Sequence, residues 1–178
     1  MESRTKLFGH PIHPILVVFP IALLSTALLF DAISLAVGSA DAGQFGFWAI
    51  SVGLVGGLLA AVFGLVDWLG IRPGTRAKSI GMWHGLGNLA IVLLFALSWI
   101  LRLGETRNAP TPLTLVLELV AVAMALVTAW LGGELVYRHR VGVDEIASLD
   151  APSSLSRGAA GAGKENARRD SGRPARVT

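Results

Sequence analysis

The amino-acid sequence predicts an all-α integral membrane protein: a four-helix bundle with both termini cytoplasmic and a disordered C-terminal tail. Three observations predict it. Of the 178 residues, 53% are hydrophobic and only 15% charged, where a soluble domain carries about 25%, and the mean hydropathy is +0.62. Too few charges exist to cover a water-facing surface, so lipid is the natural solvent. Four apolar stretches are each long enough to cross a bilayer, and the Lys and Arg residues fall unevenly on the two sides of those stretches.

The spans are read at about 15–37, 45–69, 80–103 and 113–137, each near the roughly 20 residues that cross about 30 Å of hydrocarbon. Backbone groups in lipid must pair within their own segment, so helices are the candidates. The first stretch follows Arg4 and Lys6 and could be read as a signal peptide cleaved near Ala40 or Ala42. It is longer than the roughly 7–15 residues of a signal core and carries Asp31, so a retained helix is preferred. Arg4, Lys6, Arg72, Arg76, Lys78, Arg138 and Arg140 lie on one side, against Arg102 and Arg107 on the other. The richer side is therefore read as cytoplasmic, in the bacterial inner membrane. Trp68, Trp83 and Tyr137 then sit at the inner interface and Trp48 and Trp99 towards the outer one, while Trp130 is expected deeper, packed between helices. Pro20 should kink the first span.

Small residues recur every fourth position: Gly53 with Gly57, Gly56 with Ala60 and Gly64, Gly81 with Gly85, and Ala121, Ala125, Ala129 and Gly133. Such stripes let helix backbones approach closely, within the bundle or in a homo-oligomer. Residues 1–143 form the expected membrane domain. Residues 144–178 are rich in Ser, Gly, Ala, Pro and Arg without apolar periodicity, which predicts disorder. Their Arg157, Lys164, Arg168, Arg169, Arg173 and Arg176 are available to anionic headgroups. The formal charge of +3 belongs to this topology pattern, so nucleic-acid binding is not expected. The chain has no cysteine, which removes disulfides, thiolate metal sites, c-type haem attachment and cysteine nucleophiles. No internal repeat or nucleotide-binding glycine motif is evident.

Ionisable groups within spans are costly, so each asks for a reason. His10 and His13 open the first helix, Asp67 closes the second, His84 lies about one turn into the third, and Glu134 and Tyr137 end the fourth. At about 1.5 Å of rise per residue all fall in one slab at the cytoplasmic end. His10, His13, His84, Asp67 and Glu134 are plausible ligands for zinc, iron or manganese. Alternatively, His13 and His84 supply the axial imidazoles of a b-type haem. No HExxH-like spacing singles out either reading, and interfacial His, Asp and Glu also simply reach water, pair with one another or cap helices. The two His-Pro steps at Gly9–Pro14 make a stiff, extended entry that holds both imidazoles away from helix hydrogen bonding. At the other side, Asp31 and Glu118 lie at similar depth; either one of them is protonated or Arg102 reaches towards them. The middle of the bundle is apolar, which tells against a continuous pore or proton wire. Ser25, Ser34 and Ser51 have no histidine at their depth, so a hydrolase is not expected, and no catalytic residue is assigned.

The opening GHPIHPILVVFPIALL, a second helix ending in Asp67-Trp68, His84 early in the third, and WLGGELVYRHRVGV after the fourth resemble one bacterial membrane family, catalogued as domain of unknown function 2231. The resemblance runs from about Leu7 to Val143. It implies a four-helix membrane domain and carries no settled activity. Where the final motif commonly reads His-Gly-Val-Gly-Val, this chain has Arg140 in the glycine position, which tells against a tight turn there. Three functions follow as expectations: a redox or metal-binding membrane protein using the histidines, a non-catalytic scaffold or subunit whose polar cluster fixes helix packing, and, last, a small-solute transporter. Its partners are the bilayer and a membrane protein partner or second copy.

Overall fold

A computed structural model describes residues 1–155. It is helical apart from a short antiparallel hairpin, β1 (Lys6–Leu7) and β2 (His10–Pro11). The first span is α1 (Ile12–Leu16) followed by α2 (Val18–Val37); α3 covers Ala40–Gly70, α4 Arg76–Arg102 and α5 Pro112–Gly133, the last continuing into a π turn at Glu134–Arg138. All four spans are long and apolar enough to cross a membrane. Three of the helices are started by polar residues. Ser39 accepts from the Ala42 N–H, Thr75 from that of Lys78, and Thr111 and Thr114 exchange bonds in a capping box with Pro112 in the first turn. These caps satisfy N–H groups that the helices leave free.

The helices form a ring in which α2 packs on α3 and α5, and α4 packs on α5 and α3. The inner stripe of α3 runs Ala42, Gly46, Ile50, Gly53, Gly57 and Ala60, at the three- and four-residue spacing of one helix face. Leu24, Ala27, Ala49, Ile50, Ile91, Phe95 and Ala121 make the apolar centre. The outside is equally apolar: Val55, Val62, Leu93, Leu126 and Val127 are exposed to the surrounding medium, which fits contact with lipid acyl chains.

Four expectations are corrected. Trp130 is not between helices but 65% exposed; it lies two residues beyond buried Thr128, a little over half a turn round. The irregularity of the first span falls at Val17 rather than at Pro20, because Pro20 offers no N–H to Leu16 and its ring crowds that carbonyl. The tight turn after α5 forms without glycine: Arg140 adopts φ +52°, and the Val141 N–H reaches back to Leu135 and that of Gly142 to Met1. Residues 144–155, expected as the start of a disordered tail, form turns against the N-terminal segment. Lys6 bonds Glu2 at 2.6 Å and approaches Asp144 at 3.7 Å. The Glu2 bond, opposed by partial burial, holds the Lys6 ammonium above its ordinary pKa. The Ile146 N–H holds the exposed Asp144 carboxyl below its own. The basic residues expected to meet headgroups, Arg157 to Arg176, lie outside the described residues.

Small residues set the helix spacing at particular points. A Cβ on Gly53 would stand 2.7 Å from Leu24 Cδ2, and one on Gly81 2.7 Å from Trp68 Cδ1, whereas one on Gly85 meets nothing within 4 Å. Thermal unfolding in detergent should therefore separate two substitutions. Gly53→Ala should destabilise by about 1–3 kcal/mol through overpacking. Gly133→Ala, whose Cβ meets only Tyr137 at 3.9 Å, should be neutral or gain up to about 1 kcal/mol from helix propensity.

Candidate functional site

The end of the bundle that carries the N-terminal hairpin brings His13 and His84 together. Their ring centroids are 6.4 Å apart and their planes cross at 85°. Each imidazole is held in the same way. His13 Nδ1 donates to the Ala60 carbonyl of α3 at 2.8 Å, and His84 Nδ1 donates to the Thr128 carbonyl of α5 at 2.9 Å. A carbonyl can only accept, so each ring carries a proton on Nδ1.

The room for each ring is made by a glycine four residues after the accepting carbonyl. A Cβ on Gly64 would fall 2.9 Å from His13 Nδ1, and one on Gly132 3.2 Å from His84 Cε1. Residues four apart share a helix face, so carbonyl and cleared space point the same way. The same construction thus occurs twice: histidine, carbonyl and glycine on α1 with α3, and again on α4 with α5. Asn88, one turn along from His84, donates to His84 Nε2 at 3.2 Å and to the His84 carbonyl at 2.8 Å, while its own Oδ1 accepts from Thr128 Oγ1 at 3.4 Å.

The other residues expected here go elsewhere. Asp67 accepts from Ser3 Oγ at 2.8 Å and from the Arg4 N–H at 2.8 Å, with Thr5 Oγ1 at 3.5 Å; it anchors the N-terminal segment on the end of α3. His10 is exposed in the hairpin, its Nδ1 near the Phe8 carbonyl at 3.3 Å and Ser154 Oγ at 3.5 Å. Glu134 opens the π turn, with Arg138 at 3.9 Å, and Tyr137 is exposed. Among the described residues no group of three or more His, Asp or Glu side chains is placed to hold a metal ion. His10, His13, His84, Asp67 and Glu134 are therefore not gathered as one set; His13 and His84 alone are brought together.

Asn88 and Thr128 were missed. A signal existed for Asn88, a lone amide one helical turn from His84 in an otherwise apolar stretch. The role of Thr128 lies in its backbone carbonyl, which no side-chain pattern reveals.

A family model described as "Predicted membrane protein (DUF2231)" matches residues 9–145. No curated protein matches the chain. No solved structure matches it either. Deuterium exchange should test the role given to Asp67: in Asp67→Ala the amides of residues 3–5 should lose protection while those of α4 and α5 keep theirs.

Proposed function

The chain belongs to the DUF2231 family of membrane proteins, and we propose that within it the His13–His84 pair binds a b-type haem in an electron-transfer role. The observation that carries this reading is the placement of the two rings. Two imidazoles that would hold one such group between them must come from different helices and stand close together. The separation here is 6.4 Å. Both Nδ1–H groups are already committed to carbonyls, the arrangement that fixes a ligating imidazole's tautomer and raises its basicity. A divalent ion is the weaker fit, since protein sites for such ions draw on three or four ligands and the described residues gather no set of three. A haem brings its own four nitrogens and asks for two. Asn88 would have to swing its amide from His84 Nε2 to make way.

A bound haem would supply one-electron chemistry, and His13 and His84 would hold it, each ring oriented by its Nδ1 bond. The expected orientation places this end at the cytoplasmic side. Arg4, Lys6, Arg72, Arg76, Lys78, Arg138 and Arg140 flank it, whereas the two arginines of the far end are neutralised, Arg102 by Asp31 and Arg107 by Asp41. That asymmetry follows the bias of positive charge towards the cytoplasm.

A second reading has its own support. The imidazoles already staple α1 to α3 and α4 to α5, which is enough to explain them in a membrane scaffold without a cofactor. One preparation separates the two. The protein is produced with haem available, purified in mild detergent, and its dithionite-reduced minus oxidised spectrum recorded. Haem binding predicts a Soret band with sharp reduced α and β bands, lost in His13→Ala and in His84→Ala and kept in His10→Ala. The scaffold reading predicts a colourless, folded protein in which either substitution costs about 1–2 kcal/mol of stability, the worth of one buried hydrogen bond.

A further inference from the structure

At the far end of the bundle three helices contribute charges to a site sealed from solvent. Asp31 of α2, Arg102 of α4 and Glu118 of α5 are each 0% exposed. Arg102 Nη1 donates to Asp31 Oδ2 and stands 3.9 Å from Glu118 Oε1. The rest of the guanidinium is spent on carbonyls: Nη2 donates to Gly43 at 2.6 Å and Nε to Asn108 at 2.9 Å. Ser98 Oγ donates to Glu118 Oε1 at 2.6 Å. That leaves one oxygen on each acid, Asp31 Oδ1 and Glu118 Oε2, buried with no donor. The floor beside Asp31 is Gly46, where a Cβ would stand 2.0 Å from Oδ1, so α3 approaches as bare backbone.

The charges do not balance. Two carboxylates face one guanidinium, and among the described residues no further cation pairs with either acid. Asp41 of α3 pairs with Arg107 at 2.7 Å, and Glu105 in the loop after α4 is exposed. A net charge of this kind is costly in a sealed interior. Both acids approach the same Arg102 Nη1, one from α2 and one from α5, and each keeps a buried oxygen without a donor; carboxylates have only acceptors, so a proton on one of them relieves both deficits. Two acids in one site relieve the same conflict elsewhere by sharing a proton.

We propose that Asp31 and Glu118 form a buried proton-binding site in which the pair holds one proton at neutral pH, with Arg102 balancing the remaining negative charge. The site is independent of the histidine pair and of any cofactor there. It is bounded by Ser98 of α4 and by Asn108 of the loop after α4, whose Arg107 pairs with Asp41 of α3. Proton release would leave two buried negative charges against one positive.

Infrared spectroscopy of the full chain in detergent reads the proton directly. At neutral pH the unmutated protein should show a protonated-carboxyl C=O band worth one group per chain, moved by selective carboxyl-13C labelling of Asp or Glu. Asp31→Asn and Glu118→Gln should each abolish it, since one carboxylate then balances Arg102 without a proton. Each single variant should keep the thermal stability of the parent, while the double variant, which strands Arg102, should unfold at distinctly lower temperature. Absence of the band in the unmutated protein overturns the proposal, as does a band that survives both single substitutions. Stabilisation by sodium over choline at equal ionic strength, with no such band, would make this a cation site and overturn it as well. The labelling arm needs no variant, so it stands even if a substituted chain fails to fold.

Discussion

A chain whose outer surface is as apolar as its centre cannot use the hydrophobic effect to decide which faces meet. Val55, Leu93 and Leu126 are exposed and Ile50, Ile91 and Phe95 buried, yet nothing in their chemistry sets them apart. The choice falls to polar groups, which find partners only across the bundle. His13 ties α1 to α3, His84 ties α4 to α5, Arg102 ties α4 to α2 and to the α3 backbone, and Trp99 Nε1 donates to Ser51 Oγ at 2.8 Å between α4 and α3. Glycines and alanines beside these links make the close approach geometrically open, and the aliphatic side chains fill what remains.

The polar links are sorted by depth into two layers with an apolar middle. One layer holds paired imidazoles, each with its Nδ1 on a helix carbonyl. The other holds charged groups in a sealed cavity. The two demand different neighbours. An imidazole that donates to a helix carbonyl needs space over that carbonyl, supplied by Gly64 and Gly132. A guanidinium that serves two carboxyls needs backbone oxygens for its remaining donors, supplied by Gly43 and Asn108.

The helix count, span positions and slab of polar residues were legible because each depends on position along one helix, where hydropathy and rise per residue decide. What was not legible depends on rotation about the helix axis. His13, Asp67 and Glu134 share a depth, but Asp67 turns to Ser3 and Glu134 towards Arg138, so the expected ligand cluster disperses. Trp130 failed in the same way, its depth being plain and its face not. The approach of Arg102 to Asp31 and Glu118 was legible as one of two readings, and the structure shows it; the Ser98, Gly43 and Asn108 partners were not, because three helices must be placed before those contacts exist. The turn at Arg140 failed for another reason. Its left-handed backbone is held by the Val141 and Gly142 hydrogen bonds to Leu135 and Met1, a tertiary constraint that outweighs the local preference for glycine.

Asp31 and Arg102 are 71 residues apart in the chain, and that interval bears on how the protein enters the membrane. Helices leave the translocon in order of synthesis, and a lone ionisable side chain within a span is costly in lipid. When the first span emerges, the guanidinium that Asp31 meets has not yet been made. That contact forms only once the third span is in place, and Glu118 joins it only with the fourth. The final packing of the first helix is thus tied to helices made long after it.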